Sequence, residues 1–181
     1  VTVTSPNGAE IWSVGDPYPV TWNLTDDQYI SNITIHYSDE RQAETVETSF
    51  YESGQRESVK NYKDGKLMFA VSWKPNGEKC PDTNLKKGNG TLCQYHENGQ
   101  KKSEATYKDG KLEGLVTEWY ENGQMKLEGN YKDGQLDGKV TRWHENGQKE
   151  CEEYYVEGLQ DGLYTLWYEN GQKRCEEYYV E

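Results

Sequence analysis

Four cysteines, three histidines and a column of glutamates are the residues of this chain best suited to chemistry. Cys80 and Cys93 flank the short connection around Lys86 to Gly90. Hairpin pairing there sets them opposite each other at a span that a disulfide bridges, so they form the candidate pair. Cys151 and Cys175 hold equivalent positions in consecutive units, which in a flat meander separates them by two strand spacings, roughly 9.5 Å. That is too far for a bridge, and they read either as small apolar fillers or as partners for an intermolecular bridge. His96 and His144 lie two units apart, roughly 19 Å by the same spacing, and cannot share a metal. They read as surface rings. Glu104, Glu128, Glu152 and Glu176, reinforced by Glu153 and Glu177, lack the dense acidic loop of a specific calcium site and read as a solvated charge stripe. No nucleophile elbow, phosphate loop, zinc-protease helix or dinucleotide motif is present. The expectation is therefore no enzyme, no cofactor and no metal.

The elements that position these residues follow from a repeat. The turn Glu97-Asn98-Gly99-Gln100 recurs at Glu121-Asn122-Gly123-Gln124, Glu145-Asn146-Gly147-Gln148 and Glu169-Asn170-Gly171-Gln172, a period of 24 residues. A fixed period of this size means one supersecondary unit stacked along an axis. Trp119, Trp143 and Trp167 form one aromatic column, and Tyr107, Tyr131, Tyr155 and Tyr179 a second. Gly90, Gly114, Gly138 and Gly162 form a glycine column, while Gly54 and Gly77 mark earlier, degenerate turns. Each unit carries two turn signals, Asn-Gly and Asp-Gly, separated by short runs rich in Tyr, Trp, Thr and Val, which reads as two strands per unit. Both turns suit a type I turn closed by a left-handed glycine. That geometry sets Tyr120 opposite Gln124 and puts Leu115, Thr117, Trp119, Met125, Leu127 and Tyr131 on one face. Val116, Glu118, Tyr120, Gln124, Lys126, Glu128 and Asn130 share the other. The expected fold class is all-β: an elongated antiparallel meander of repeated β-hairpins, with an N-terminal partial sandwich-like segment.

Composition narrows the partners. A net charge of -12 and a pI near 4.8 repel nucleic acid and anionic lipid surfaces. No run of about 18 apolar residues offers a transmembrane segment. The chain starts at Val1, as a mature form after signal removal or an excised fragment would. An extracellular or cell-surface location is expected on that ground. Three sequons, at Asn23, Asn32 and Asn89, are acceptors where the source glycosylates.

The units Tyr107-Lys108-Asp109-Gly110-Lys111-Leu112-Glu113-Gly114 and Trp119-Tyr120-Glu121-Asn122-Gly123-Gln124 resemble the MORN-repeat variant over residues 50–181. The resemblance implies rigid hairpin scaffolds without catalytic residues, some of whose relatives are labelled antitoxins. Ser5-Pro6-Asn7-Gly8-Ala9-Glu10-Ile11-Trp12, Val20-Thr21-Trp22 and Ile30 to Ile35 resemble the opening strands of a bacterial immunoglobulin-like domain over residues 1–38. A complete sandwich takes about 100 residues. The domains are accordingly 1–48, immunoglobulin-like strands, and 49–181, hairpin repeats. Three functions compete. The leading one is a structural or interaction scaffold that self-associates head to tail through an open sheet edge. The second is a carbohydrate or cell-wall binding module using Trp119, Trp143, Trp167, Tyr107, Tyr131, Tyr155 and Tyr179 as stacking rings. The third is an antitoxin whose acidic surface masks a basic partner.

Overall fold

A computed structural model describes residues 20–24, 30–39 and 42–180, with side chains from residue 44 onward. The immunoglobulin-like motif from Ser5 to Gly15 lies outside the described residues. The strands are β1 (Val20–Leu24), β2 (Ile30–Asp39), β3 (Gln42–Phe50), β4 (Arg56–Lys63), β5 (Lys66–Ser72), β6 (Gly90–Tyr95), β7 (Lys101–Lys108) and β8 (Lys111–Trp119). They continue with β9 (Met125–Lys132), β10 (Gln135–Trp143), β11 (Lys149–Val156), β12 (Leu159–Gln160), β13 (Gly162–Trp167) and β14 (Lys173–Tyr179). All pairings between named strands are antiparallel hairpin neighbours, as expected of a meander. The array is divided in two, with β1 to β5 in one sheet and β6 to β14 in another.

The two turn types differ, and the expectation of one geometry for both is corrected. At the Asn-Gly turns only the glycine has a positive φ, +82° at Gly99 and +81° at Gly123. There Tyr120 N–H donates to Gln124 O at 2.8 Å and Gly123 N–H to Tyr120 O at 2.9 Å, the expected type I turn with a left-handed closure. At the Asp-Gly turns both residues are left-handed, with φ of 51° and 78° at Asp109-Gly110 and 53° and 88° at Asp133-Gly134. Two consecutive left-handed residues make the two-residue hairpin whose twist matches its strands, so Lys108 pairs directly with Lys111.

A bulge beside each Asn-Gly turn overturns the expected faces. Trp119 pairs with Met125, but Glu118 pairs with Leu127, Thr117 with Glu128 and Val116 with Gly129, so Lys126 is an extra residue. Cross-strand partners share a face, and one extra residue moves everything beyond it to the other side. Leu127 and Tyr131 therefore join Val116, while Leu115, Thr117 and Trp119 share their face with Glu128 and Asn130. The Trp and Tyr columns lie on opposite faces rather than forming one stripe. Both faces are covered at mid-strand, with Val116 and Val140 at 8% and 1% exposure on the Tyr face and Thr117 and Thr141 at 7% and 6% on the Trp face.

The main core sits at the junction of the two sheets. Leu67 and Ala70 of β5, Leu85 of the connection and Leu92 of β6 form a buried cluster, against which Tyr62 and Tyr107 pack. Backbone bonds cross the junction: Gly88 N–H to Met68 O at 2.8 Å, Gly110 N–H to Gly88 O at 2.9 Å and Ala70 N–H to Leu85 O at 3.3 Å. Between β5 and β6 the chain makes isolated bridges in place of a strand pair, such as Trp73 with Lys79 and Lys86 with Asn89. The short connection around Lys86 to Gly90 lies in this junction.

Candidate functional site

The repeat builds two rims and two faces. Along the Asn-Gly rim, a side chain at one slot in every unit reaches the backbone of the next. His96 Nε2 lies 2.7 Å from Trp119 O, Tyr120 hydroxyl donates to Trp143 O at 2.7 Å, and His144 Nε2 lies 3.2 Å from Trp167 O. A second ladder runs beside it, with Asn98, Asn122 and Asn146 Nδ2 donating to Glu121, Glu145 and Glu169 O at 2.6, 2.9 and 2.8 Å. On the Asp-Gly rim Gly134 and Gly158 N–H donate to Leu112 and Leu136 O, each at 2.9 Å. The histidines are thus inter-unit connectors, and their reading as surface rings is corrected. The signal in the sequence was the alternation of His96, Tyr120, His144 and Tyr168 in one slot, because both rings place a polar atom at a similar reach.

The Trp columns are half-buried and carry cations on a ring face. Lys101 lies 5.7 Å from the Trp119 ring centre, Lys149 5.7 Å from that of Trp167 and Arg56 5.3 Å from that of Trp73. Two of these lysines also clamp glutamates of the acidic column: Lys101 with Glu104 at 2.6 Å and Lys149 with Glu152 at 2.9 Å. Lys173 pairs with Glu176 in the same way. The column alternates across strands with the buried Thr117, Thr141 and Thr165. Burial works against ionised Glu152, but the ion pairs with Lys139 and Lys149 outweigh it and hold its carboxyl below the usual value. Glu153 is not part of a solvated stripe. Its side chain is 8% exposed, paired with Arg142 at 2.9 Å, and accepts the Tyr155 hydroxyl at 2.6 Å. Burial first, then that carboxylate, pushes Tyr155 up to about 12.

On the opposite face Tyr107 packs on the main core, and Tyr131 and Tyr155 are half-buried. Tyr179 is 40% exposed and stacks edge-on with Tyr164 at 6.2 Å. The cysteines divide similarly. Cys151 is buried within the array, and burial raises its thiol to about 11. Cys175, one unit on, is partly exposed. Cys80 and Cys93 are buried together with Tyr95 in a second small core and are unbridged. Their sulfurs lie within 4.8 Å of each other, and Thr83 ties Cys93 to the connection, its Oγ1 accepting from Cys93 N–H at 3.0 Å and donating to Cys93 O at 3.2 Å. Burial pushes the Cys80 thiol up, but hydrogen bonds from Tyr95, Thr83 and the backbone amides of Thr83 and Asp82 outweigh it and hold it below the usual value. Burial and the neighbouring Glu104 push Cys93 up to about 12.

Of the sequons, Asn23 and Asn32 are cross-strand partners in β1 and β2. Asn89 is exposed, with Nδ2 donating to Lys87 O at 3.0 Å and Oδ1 accepting from Asp109 N–H at 3.2 Å.

The turn, strand and glycine periodicity is that of a known repeat, and a family model for the MORN repeat variant matches residues 43–64, 89–109, 112–133, 136–157 and 160–181. The chain belongs to this family. The first match begins in β3, seven residues before the boundary that the sequence resemblance set at residue 50. Residues 65–88, between the first two matches, include the junction with its Leu85, Cys80 and Asp82. No curated protein matches the chain. MORN repeats are generally non-catalytic scaffolds that commonly mediate protein interactions. Among the described residues no helix is long and apolar enough to cross a membrane.

Proposed function

We propose that this MORN-repeat chain is a non-enzymatic scaffold for protein–protein contact, acting outside the cell or at its surface, with a second copy of the chain as its first partner. The observation that carries this reading is an apolar patch on the Trp face of the last hairpins. Leu163 and Tyr178 are cross-strand partners, 39% and 71% exposed, and Tyr154 on the same face is 40% exposed. Tyr178 lies in β14, which among the described residues is the edge strand of its sheet, and an edge strand offers backbone groups for pairing. The rim ladders hold successive units in fixed register, so this patch is presented without a large ordering cost on association. Pairing of that edge with the β1 edge of another copy is a head-to-tail contact, and one that does not close gives a filament.

Light scattering after size-exclusion chromatography tests the reading. Concentration-dependent association of the full chain, abolished by Tyr178→Glu, is expected; a monomer at all concentrations removes self-assembly and leaves the choice of a different protein partner. The acidic surface fits a basic partner, as an antitoxin would need. A carbohydrate module needs open ring faces, and the lysines over Trp119 and Trp167 cover one face of each. The immunoglobulin-like character of residues 1–38, the domain boundary at residue 48 and glycosylation at Asn23, Asn32 and Asn89 belong to this proposal. Their support is sequence pattern.

A further inference from the structure

We propose that Cys80, Cys93 and Asp82 form a binding site for a thiophilic divalent cation, zinc by its donor set. The two sulfurs and a carboxylate oxygen all lie within 4.8 Å of one another. Zinc with bonds of about 2.3 Å to sulfur and about 2.1 Å to oxygen holds its ligand atoms about 3.5 Å apart, so a contraction of about an ångström completes the trio. Side-chain rotation alone supplies a movement of that size.

Three further observations fit a cation. Cys80 and Cys93 are 1% and 0% exposed while Asp82 is exposed, so two buried soft donors meet a carboxylate that is open to solvent. Glu104 Oε2 lies 3.7 Å from Cys93 Sγ, which sets a second carboxylate beside the thiols, and the same oxygen accepts from Lys101 Nζ at 2.6 Å. Finally, the ligands join two parts of the junction that no strand ladder connects: Cys80 and Asp82 belong to the connection and Cys93 to β6. Fastening such a segment is what a structural metal does in small, thinly packed proteins. Binding exchanges two S–H bonds for two metal–sulfur bonds and releases two protons to solvent, with no change of oxidation state.

The test is titration of the full, reduced chain with Co²⁺ as the spectroscopic probe, followed by Zn²⁺ competition. Expected are thiolate-to-cobalt charge-transfer bands with tetrahedral d–d bands, saturating at a single equivalent and bleached by Zn²⁺. Cys151→Ser with Cys175→Ser should retain them and Cys80→Ser should lose them. Asp82→Asn changes an exposed side chain and keeps the fold, so it decides the matter if Cys80→Ser unfolds by circular dichroism; its affinity should fall at least about tenfold. Absence of thiolate bands in the folded, reduced chain overturns the proposal, as does unchanged affinity in Asp82→Asn. A Cys80–Cys93 disulfide in protein isolated under thiol-blocking conditions overturns it in favour of the covalent bridge.

Discussion

In the regular units beyond Glu97, aliphatic burial is thin: Val116 in one unit and Val140 in the next are the aliphatic side chains buried there. At the junction, by contrast, Leu67, Ala70, Leu85 and Leu92 meet in one cluster, with Cys80, Cys93 and Tyr95 buried alongside. The regular region is held by repeated short-range devices: turns, rim ladders, and Lys–Trp and Lys–Glu contacts. The junction is held by a compact apolar core where the repeat breaks. A strict repeat places the same side chain every 24 residues, so it can multiply a local contact but cannot bring unlike residues from distant positions into one cluster. The irregular unit can, and it is also where the thiols gather.

The largest test of this contrast is a pair of core truncations. Leu85→Ala should cost about 2–5 kcal/mol, as a fully buried leucine does. Val140→Ala should cost about 2 kcal/mol, from two methyl groups and a small cavity. Urea unfolding of both variants checks the ranking, and an equal loss would dissolve the distinction between the regions. Glycine substitutions sharpen it next. Gly88 and Gly54 have φ of +77° and +79°, so replacement by alanine strains either backbone by about 1–2 kcal/mol. A Cβ at Gly54 meets nothing within 4 Å, whereas at Gly88 it would lie 2.6 Å from Gly110 N, across the junction. Gly88→Ala should therefore cost about 1–3 kcal/mol more than Gly54→Ala in the same assay.

Within the regular units, Tyr120→Phe removes the hydrogen bond to Trp143 O and should cost about 1 kcal/mol. Tyr120→His should cost less, since His96 and His144 fill that slot in neighbouring units. Thermal melts of the two variants compare them directly, and equal losses would show that the ring matters only for packing. The smallest effect is on pH. Glu152 has a folded-state pKa depressed by Lys139 and Lys149, so its contribution is fully present above its unfolded value and is lost as pH falls through the folded one. Wild type should thus lose slightly more stability on acidification than Glu152→Gln, read from denaturation midpoints across the acid limb.

Legibility in the sequence tracked how local each cause is. Asn-Gly and Asp-Gly set their own turns, so strand order and hairpin boundaries could be read from residues a few positions apart. The face assignment failed at Lys126, because one extra residue beside a turn inverts a strand while leaving the pattern of residue types almost unchanged. Opposing faces also explain why Trp119 and Trp167 meet lysines while Tyr107 packs on the junction core, a division that composition hides. Roles that depend on the next unit were harder still. His96 and His144 looked like surface rings because their acceptors, Trp119 O and Trp167 O, lie 23 residues away. Cys80 and Cys93 were recognised as neighbours, but Asp82 was not, since a connection without strands gives no register from which to place it.

Native-state hydrogen exchange measured residue by residue tests the central claim, that the junction is the anchor from which the regular array extends. The amides of Ala70, Gly88, Cys93 and Gly110, which cross or line the junction, should exchange last, with protection falling through β10 and β11 to β14. Protection that is uniform along the array, or highest in β10 and β11, would contradict the account.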